Sequence, residues 1–113
     1  MSQNYQDRLK DIDKRTGALF KAQTKVMRSF SQLSQAASAD GALDAKTKEL
    51  MSLAISISIR CEDCIVYHLK AAIGHGANED EIMETLGVAV EMGGGPSVVY
   101  SGRALEAYQA LSA

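Results

Sequence analysis

The sequence predicts an all-α fold of about five to six helices, and three observations predict it. Its apolar residues are mostly Ala, Leu, Ile, Val and Met; aromatics make up 5% of the 113 residues and there is no Trp. Such side chains suit close-packed helices better than a β-sandwich, whose faces draw on aromatic residues. The chain holds a single Pro, where loop-rich and all-β folds use more. Apolar residues also recur three and four apart over most of the length, the period of a helix with one buried stripe.

Taken in order, residues Gln3 to Lys14 are charged, with Leu9 and Ile12 three apart, and predict a short, partly exposed helix. From Ala18, the positions Leu19, Val26, Phe30, Leu33 and Ala37 predict a second helix ending near Ala39, where Asp40-Gly41 supplies a turn. Asp44 caps a third, with Lys48 and Glu49 in its first turn. Leu50, Leu53, Ala54 and Ile57 form one apolar face of it and Met51, Ile55 and Ile59 another, so this helix is expected to be central. The Ser-Ile alternation at 55–59 has the period of a strand, but Lys46 to Ile59 is too long for one and no partner strand is evident. A fourth helix begins near Cys61 and stops at the corner Gly74-His75-Gly76. Asn78, followed three residues on by Glu81, caps a fifth that carries Ile82, Leu86 and Val90. The run Gly93-Gly94-Gly95-Pro96 breaks the chain, and Pro96 suits the first turn of a last helix to about Leu111.

With no repeat, low-complexity tract or long linker, residues 1–113 read as one domain. The net charge of −2 gives no electrostatic footprint for nucleic acid. Basic residues between Lys10 and Arg28 interleave with Asp11 and Asp13, close after Asp7, and read as a solvated helix face. The N-terminus has no apolar leader segment, and the longest apolar stretch, Leu50 to Ile59, is broken by three serines. A cytoplasmic protein with no membrane partner is expected. One helix apolar nearly all round in so small a chain points to a homo-oligomer.

The chemistry lies in Cys61-Glu62-Asp63-Cys64-Ile65-Val66-Tyr67-His68. On a helix Cys61 and Cys64 are neighbours at i, i+3, and Cys64 and His68 at i, i+4, so all three project from one face. A Cys-x-x-Cys at a helix N-terminus can close a disulfide, and the helix dipole there favours the thiolate. His68 can exchange protons with Cys64, as a thiol alternating between nucleophile and leaving group requires. Glu62 and Asp63, between the cysteines, oppose the thiolate while suiting the helix N-terminus, and Arg60 is the nearby cation that offsets them. A zinc site would need Glu49 as fourth ligand beside Cys61, Cys64 and His68, and haem attachment would need a His where Ile65 stands. Glu49, Ser52, Ser56 and Arg60 make a narrow polar stripe on an otherwise apolar helix, leading from Glu49 towards the cysteines.

Glu49, eleven residues, then Cys61-x-x-Cys64-x-x-x-His68 resembles the AhpD-like branch of the carboxymuconolactone decarboxylase family. The flanks agree: Leu43-Asp44-x-Lys46-Thr47-Lys48-Glu49-Leu50 before, Gly76-Ala77-Asn78-Glu79-Asp80-Glu81-Ile82 after, and Met92-Gly93-Gly94-Gly95-Pro96 at the glycine break. The resemblance covers a core at residues 42–108, with residues 1–40 as N-terminal helices. It implies an all-helical domain assembling into trimers or hexamers. It also implies thiol-disulfide chemistry at Cys61 and Cys64 that supports hydroperoxide reduction, with Glu49 and His68 as proton relay. Asp63 departs from the pattern, because well-studied members carry a His there.

The expected function is a dithiol oxidoreductase acting on hydroperoxides or on a partner's disulfide, as an antioxidant enzyme. Its redox-active group is the Cys61–Cys64 pair, with no cofactor or metal. A peroxiredoxin, another redox protein or an external dithiol is the implied partner or reductant. Cys64 is the thiol coupled to His68, and Cys61 the more exposed partner. Two rivals stand beside this: decarboxylation of a carboxylated lactone, with Arg60 as the cationic clamp, and a non-enzymatic oligomer that senses oxidation.

Overall fold

The computed structural model describes residues 4–113 as six helices, with no strand among them. Helix α1 is Tyr5–Ala22 and α2 is Thr24–Ser38. Gln3, where the sequence reading starts its first helix, lies outside the described residues. That reading divides the two N-terminal helices between Lys14 and Ala18, whereas the chain stays helical through Gly17 and breaks at Gln23. A helical Gly costs only about 1 kcal/mol, and no capping residue accompanies it. At the real break, the Gln23 N–H closes on the Leu19 carbonyl and the Thr24 hydroxyl donates to the carbonyls of Phe20 and Lys21. These take up carbonyls that the end of α1 leaves open.

Helix α3, Ala45–Ser58, starts where the Asp44 carboxylate accepts the Thr47 N–H at 2.8 Å. It ends through a left-handed residue. Arg60 has φ 59°, its N–H donates to the Ile57 carbonyl, and the Cys61 N–H reaches back to the Ser56 carbonyl at 3.0 Å. Glycine is the usual residue at such a stop. The turn delivers Cys61 directly as N-cap of α4, Glu62–Gly74. Helix α4 stops in the same way, with Gly76 at φ 90° and the Ala77 N–H on the Ala72 carbonyl. Asn78 and Glu81 then form the expected capping box of α5, Glu79–Gly93. Helix α6, Gly95–Leu111, follows Gly94, whose φ of 67° and ψ of −147° lie in a region that is nearly glycine's alone.

The core is the packing of α3, α4, α5 and α6. It is built from Leu53 and Ile57, from Ile65, Val66, Leu69 and Ala72, from Ile82, Leu86 and Ala89, and from Ala104 and Ala107. The alanines of α6 let it approach closely, which explains why so few aromatics suffice. Helix α1 joins through Tyr5, whose hydroxyl donates to Glu106 at 3.0 Å. Burial, then the Glu106 carboxylate, pushes the Tyr5 phenol up from 10.0.

Helix α3 is central on one side only. Leu53 and Ile57 are buried, whereas Met51, Ile55 and Ile59 are 48–65% exposed, so the second apolar face has no cover within one chain. Helix α2 buries no residue at all, and its apolar stripe of Val26, Phe30 and Leu33 is open. Among the described residues no helix is long and apolar enough to cross a membrane.

Candidate active site

Two helices bring the four predicted site residues together. Cys61 sits at the N-cap of α4, and its Sγ accepts the Cys64 N–H at 3.3 Å. Cys61 and Cys64 are joined as a disulfide with a Cα–Cα distance of 5.2 Å, the separation that one helical turn imposes on i, i+3 residues. One turn further along α4, His68 points its Nδ1 at Glu49 Oε2 on α3, 2.7 Å away. Glu49 is only 8% exposed, and His68 is the hydrogen-bond partner of its carboxylate. An ionised carboxylate only accepts, so this contact places the ring proton on Nδ1 and leaves Nε2 as the proton acceptor. Tyr67 stands edge-on to the imidazole, ring centroids 5.2 Å apart.

The polar stripe behaves otherwise than its spacing implies. The Ser52 hydroxyl donates to the Lys48 carbonyl and the Ser56 hydroxyl to the Ser52 carbonyl, so both serve their own helix. Arg60 is exposed beyond the helix end. Among the described residues, Glu49 is the one of the four whose side chain reaches a partner on α4 by hydrogen bond.

Cys61 and Cys64 are both part-buried. They differ in what they face. Cys64 and His68 open on a cavity of about 420 Å³ walled by Ile12 and Thr16 of α1 and by Phe30 and Ser34 of α2. Cys61 opens on a shallow cleft with Arg8, Arg60, Tyr100 and Arg103. The disulfide thus has one sulfur on a half-open, mostly apolar cavity that Asp13 and Asp63 also line, and the other on a cleft where arginines meet Glu62 and Asp63.

The acids between the cysteines are neutralised, though not by Arg60. Arg8 donates to Asp63 Oδ1 at 3.0 Å and to Glu62 Oε2 at 3.1 Å, and Arg15 donates to Asp63 Oδ2 at 2.8 Å. Arg103 of α6 pairs with Glu62 and lies 5.1 Å from the Tyr100 ring. Arg15 therefore does not belong to a merely solvated basic face. These arginines escape sequence reading because Arg8 and Asp63 stand 55 residues apart, beyond any periodicity. Among the described residues no cluster of three His, Cys, Asp or Glu side chains is arranged to hold a metal ion.

The carboxymuconolactone decarboxylase family pattern matches residues 24–107, most of the chain. This chain belongs to the carboxymuconolactone decarboxylase family. A family member from Legionella pneumophila superposes with a TM-score of 0.94 at 42% identity, covering 99% of this chain and 100% of that one. Another, from Thermotoga maritima and with a suggested part in the antioxidative response, superposes at 0.83 with 34% identity, covering 92% and 89%. An uncharacterised protein of Cupriavidus necator is 37% identical over the full length of both chains. The family segment contains Glu49, Cys61, Cys64 and His68, whereas Arg8 and Arg15 lie on α1, outside it.

Proposed function

We propose that this carboxymuconolactone decarboxylase family member is a dithiol oxidoreductase that reduces hydroperoxides, or a partner's disulfide, through Cys61 and Cys64. The observation that carries the reading is the 2.7 Å Glu49–His68 contact behind a disulfide whose Cys64 shares a cavity with His68. In the reduced protein, His68 Nε2 takes the Cys64 thiol proton. The thiolate attacks the outer peroxide oxygen: an S–O bond forms, the O–O bond breaks, and the alkoxide leaves with the proton from His68 as an alcohol. Cys61, as thiolate, then attacks the Cys64 sulfenic sulfur. The S–S bond forms, and hydroxide departs and is protonated to water. The sum is one hydroperoxide and two thiols giving one alcohol, one water and one disulfide. An external dithiol or redox protein restores the thiols by two exchanges.

The helix geometry supports a division of labour. The α4 N-terminus stabilises negative charge on Cys61, the N-cap sulfur, while Cys64 has the acid–base group. Decarboxylation of a carboxylated lactone is less well supported, because Arg8, Arg15 and Arg103 are engaged by Glu62 and Asp63 rather than offered to a substrate carboxylate. The Thermotoga protein's suggested antioxidative role agrees with the dithiol reading.

A single-turnover titration tests it. One equivalent of an organic hydroperoxide added to the fully reduced protein is expected to remove both thiols of a chain and to give a Cys61–Cys64 disulfide in peptide mapping. Two thiols still open to alkylation after peroxide and after a disulfide substrate would sink the proposal.

A further inference from the structure

The two acids inside the Cys-x-x-Cys pose an electrostatic problem that the family segment answers only through Arg103. Glu62 and Asp63 occupy the first turn of α4, immediately after the sulfur that the same turn must hold as a thiolate. Carboxylates at that distance disfavour the thiolate, and opposite charges restore it. The restoring charges arrive from other helices. Arg8 of α1 spans both acids, Arg15 of α1 takes the second Asp63 oxygen, and Arg103 of α6 takes the second Glu62 oxygen. All four carboxylate oxygens thus receive a guanidinium, and Arg8, at 21% side-chain exposure, is the most sheltered of the three.

We propose that Arg8, supported by Arg15 and Arg103, is a positioning residue of the dithiol site, neutralising Glu62 and Asp63 so that the α4 N-terminus can hold Cys61 as a thiolate. The inference rests on the dithiol reading. It makes α1 part of the redox site rather than an appendage of the family core, and gives Asp63 a partner in Arg15. The other groups facing Cys61 are Arg60, at the end of α3, and Tyr100 of α6. Facing Cys64 are Asp13 of α1, Tyr67 and His68, with Glu49 behind the imidazole. Among the described residues, Arg8, Arg15 and Arg103 are the ones that form ion pairs with the acids between the cysteines.

The test is the pH profile of iodoacetamide alkylation in a Cys64→Ser background, where Cys61 is the sole thiol. Arg8→Gln is expected to move the profile to higher pH and slow alkylation at pH 7 by about three- to tenfold, since one pH unit of displacement corresponds to tenfold. Arg8→Lys keeps the charge and is expected to fall between the two. Adding Glu62→Gln and Asp63→Asn to Arg8→Gln removes what needs neutralising, so the rate should return to the starting value or exceed it. A loss of α1 packing would not be rescued this way, because the triple variant still lacks the guanidinium. An unchanged profile in Arg8→Gln, or a triple variant as slow as Arg8→Gln, would overturn the proposal. Alkylation needs no peroxide, so failure of hydroperoxide turnover would count against the dithiol reading and leave this profile to be judged separately.

Discussion

His68→Ala is expected to slow hydroperoxide turnover by about 10²–10⁴-fold, the range that a positioned general acid–base contributes. The loss should fall on the step that forms the Cys64 sulfenic acid, because in the proposed mechanism His68 takes the Cys64 proton and returns it to the leaving alkoxide oxygen. Thiol content of the reduced protein and its helical circular dichroism should stay unchanged, since His68 is only part-buried and outside the core cluster. Glu49→Ala is expected to act in the same direction and more weakly. It leaves the imidazole in place and removes the 2.7 Å contact that fixes its proton on Nδ1. Stopped-flow comparison of the two variants with wild type checks the order. A Glu49→Ala protein slower than His68→Ala would mean that the carboxylate itself handles the proton.

Leu69→Ala is expected to destabilise the protein by about 2–5 kcal/mol, the cost of removing a buried Leu side chain and leaving its cavity. Leu69 has no exposure and faces the core from α4, one residue after His68. Urea denaturation at fixed protein concentration measures the change, and Tyr67→Ala, 52% exposed on the opposite side, is the control expected to cost much less. The contrast matters for function because the same helix carries both cysteines and His68. A helix loosened from below should lose the alignment of its upper face, so Leu69→Ala should also reduce turnover in the fraction that stays folded. A cost below 1 kcal/mol would mean that the α4 anchoring described here is wrong.

Much of the helical pattern is legible because several helices carry local stop and start chemistry. Asp44 caps α3 and Asn78 with Glu81 caps α5. The break between α1 and α2 escapes the sequence reading, which places it between Lys14 and Ala18, because it depends on Gln23 and a Thr24 hydroxyl rather than on a strong breaker. The position of α3 was half legible. Its two apolar faces read as a central helix, but a single chain covers only the Leu53 and Ile57 face.

The site was legible where helix periodicity reaches. Spacing within α4 places Cys61, Cys64 and His68 on one face, while the association of Glu49 with His68, seen as a 2.7 Å contact, comes from the family resemblance rather than from spacing. The remaining parts come from contacts distant in sequence. Ile12 and Phe30 wall the Cys64 cavity, and Arg8, Arg15 and Arg103 neutralise the acids, while Arg60 stops α3 in a left-handed conformation. No local pattern announces these, because each depends on how α1, α2 and α6 pack around α4.

Steady-state hydroperoxide consumption by the reduced protein, with excess dithiol as the only reductant, tests the central claim most directly. Wild type is expected to turn over repeatedly, Cys64→Ser to be inactive, and Cys61→Ser to turn over far more slowly, its Cys64 sulfenic acid being reset only by direct attack of the external dithiol. Turnover at the wild-type rate after replacement of either cysteine, or a wild-type protein that consumes no peroxide and reduces no disulfide, would contradict the account.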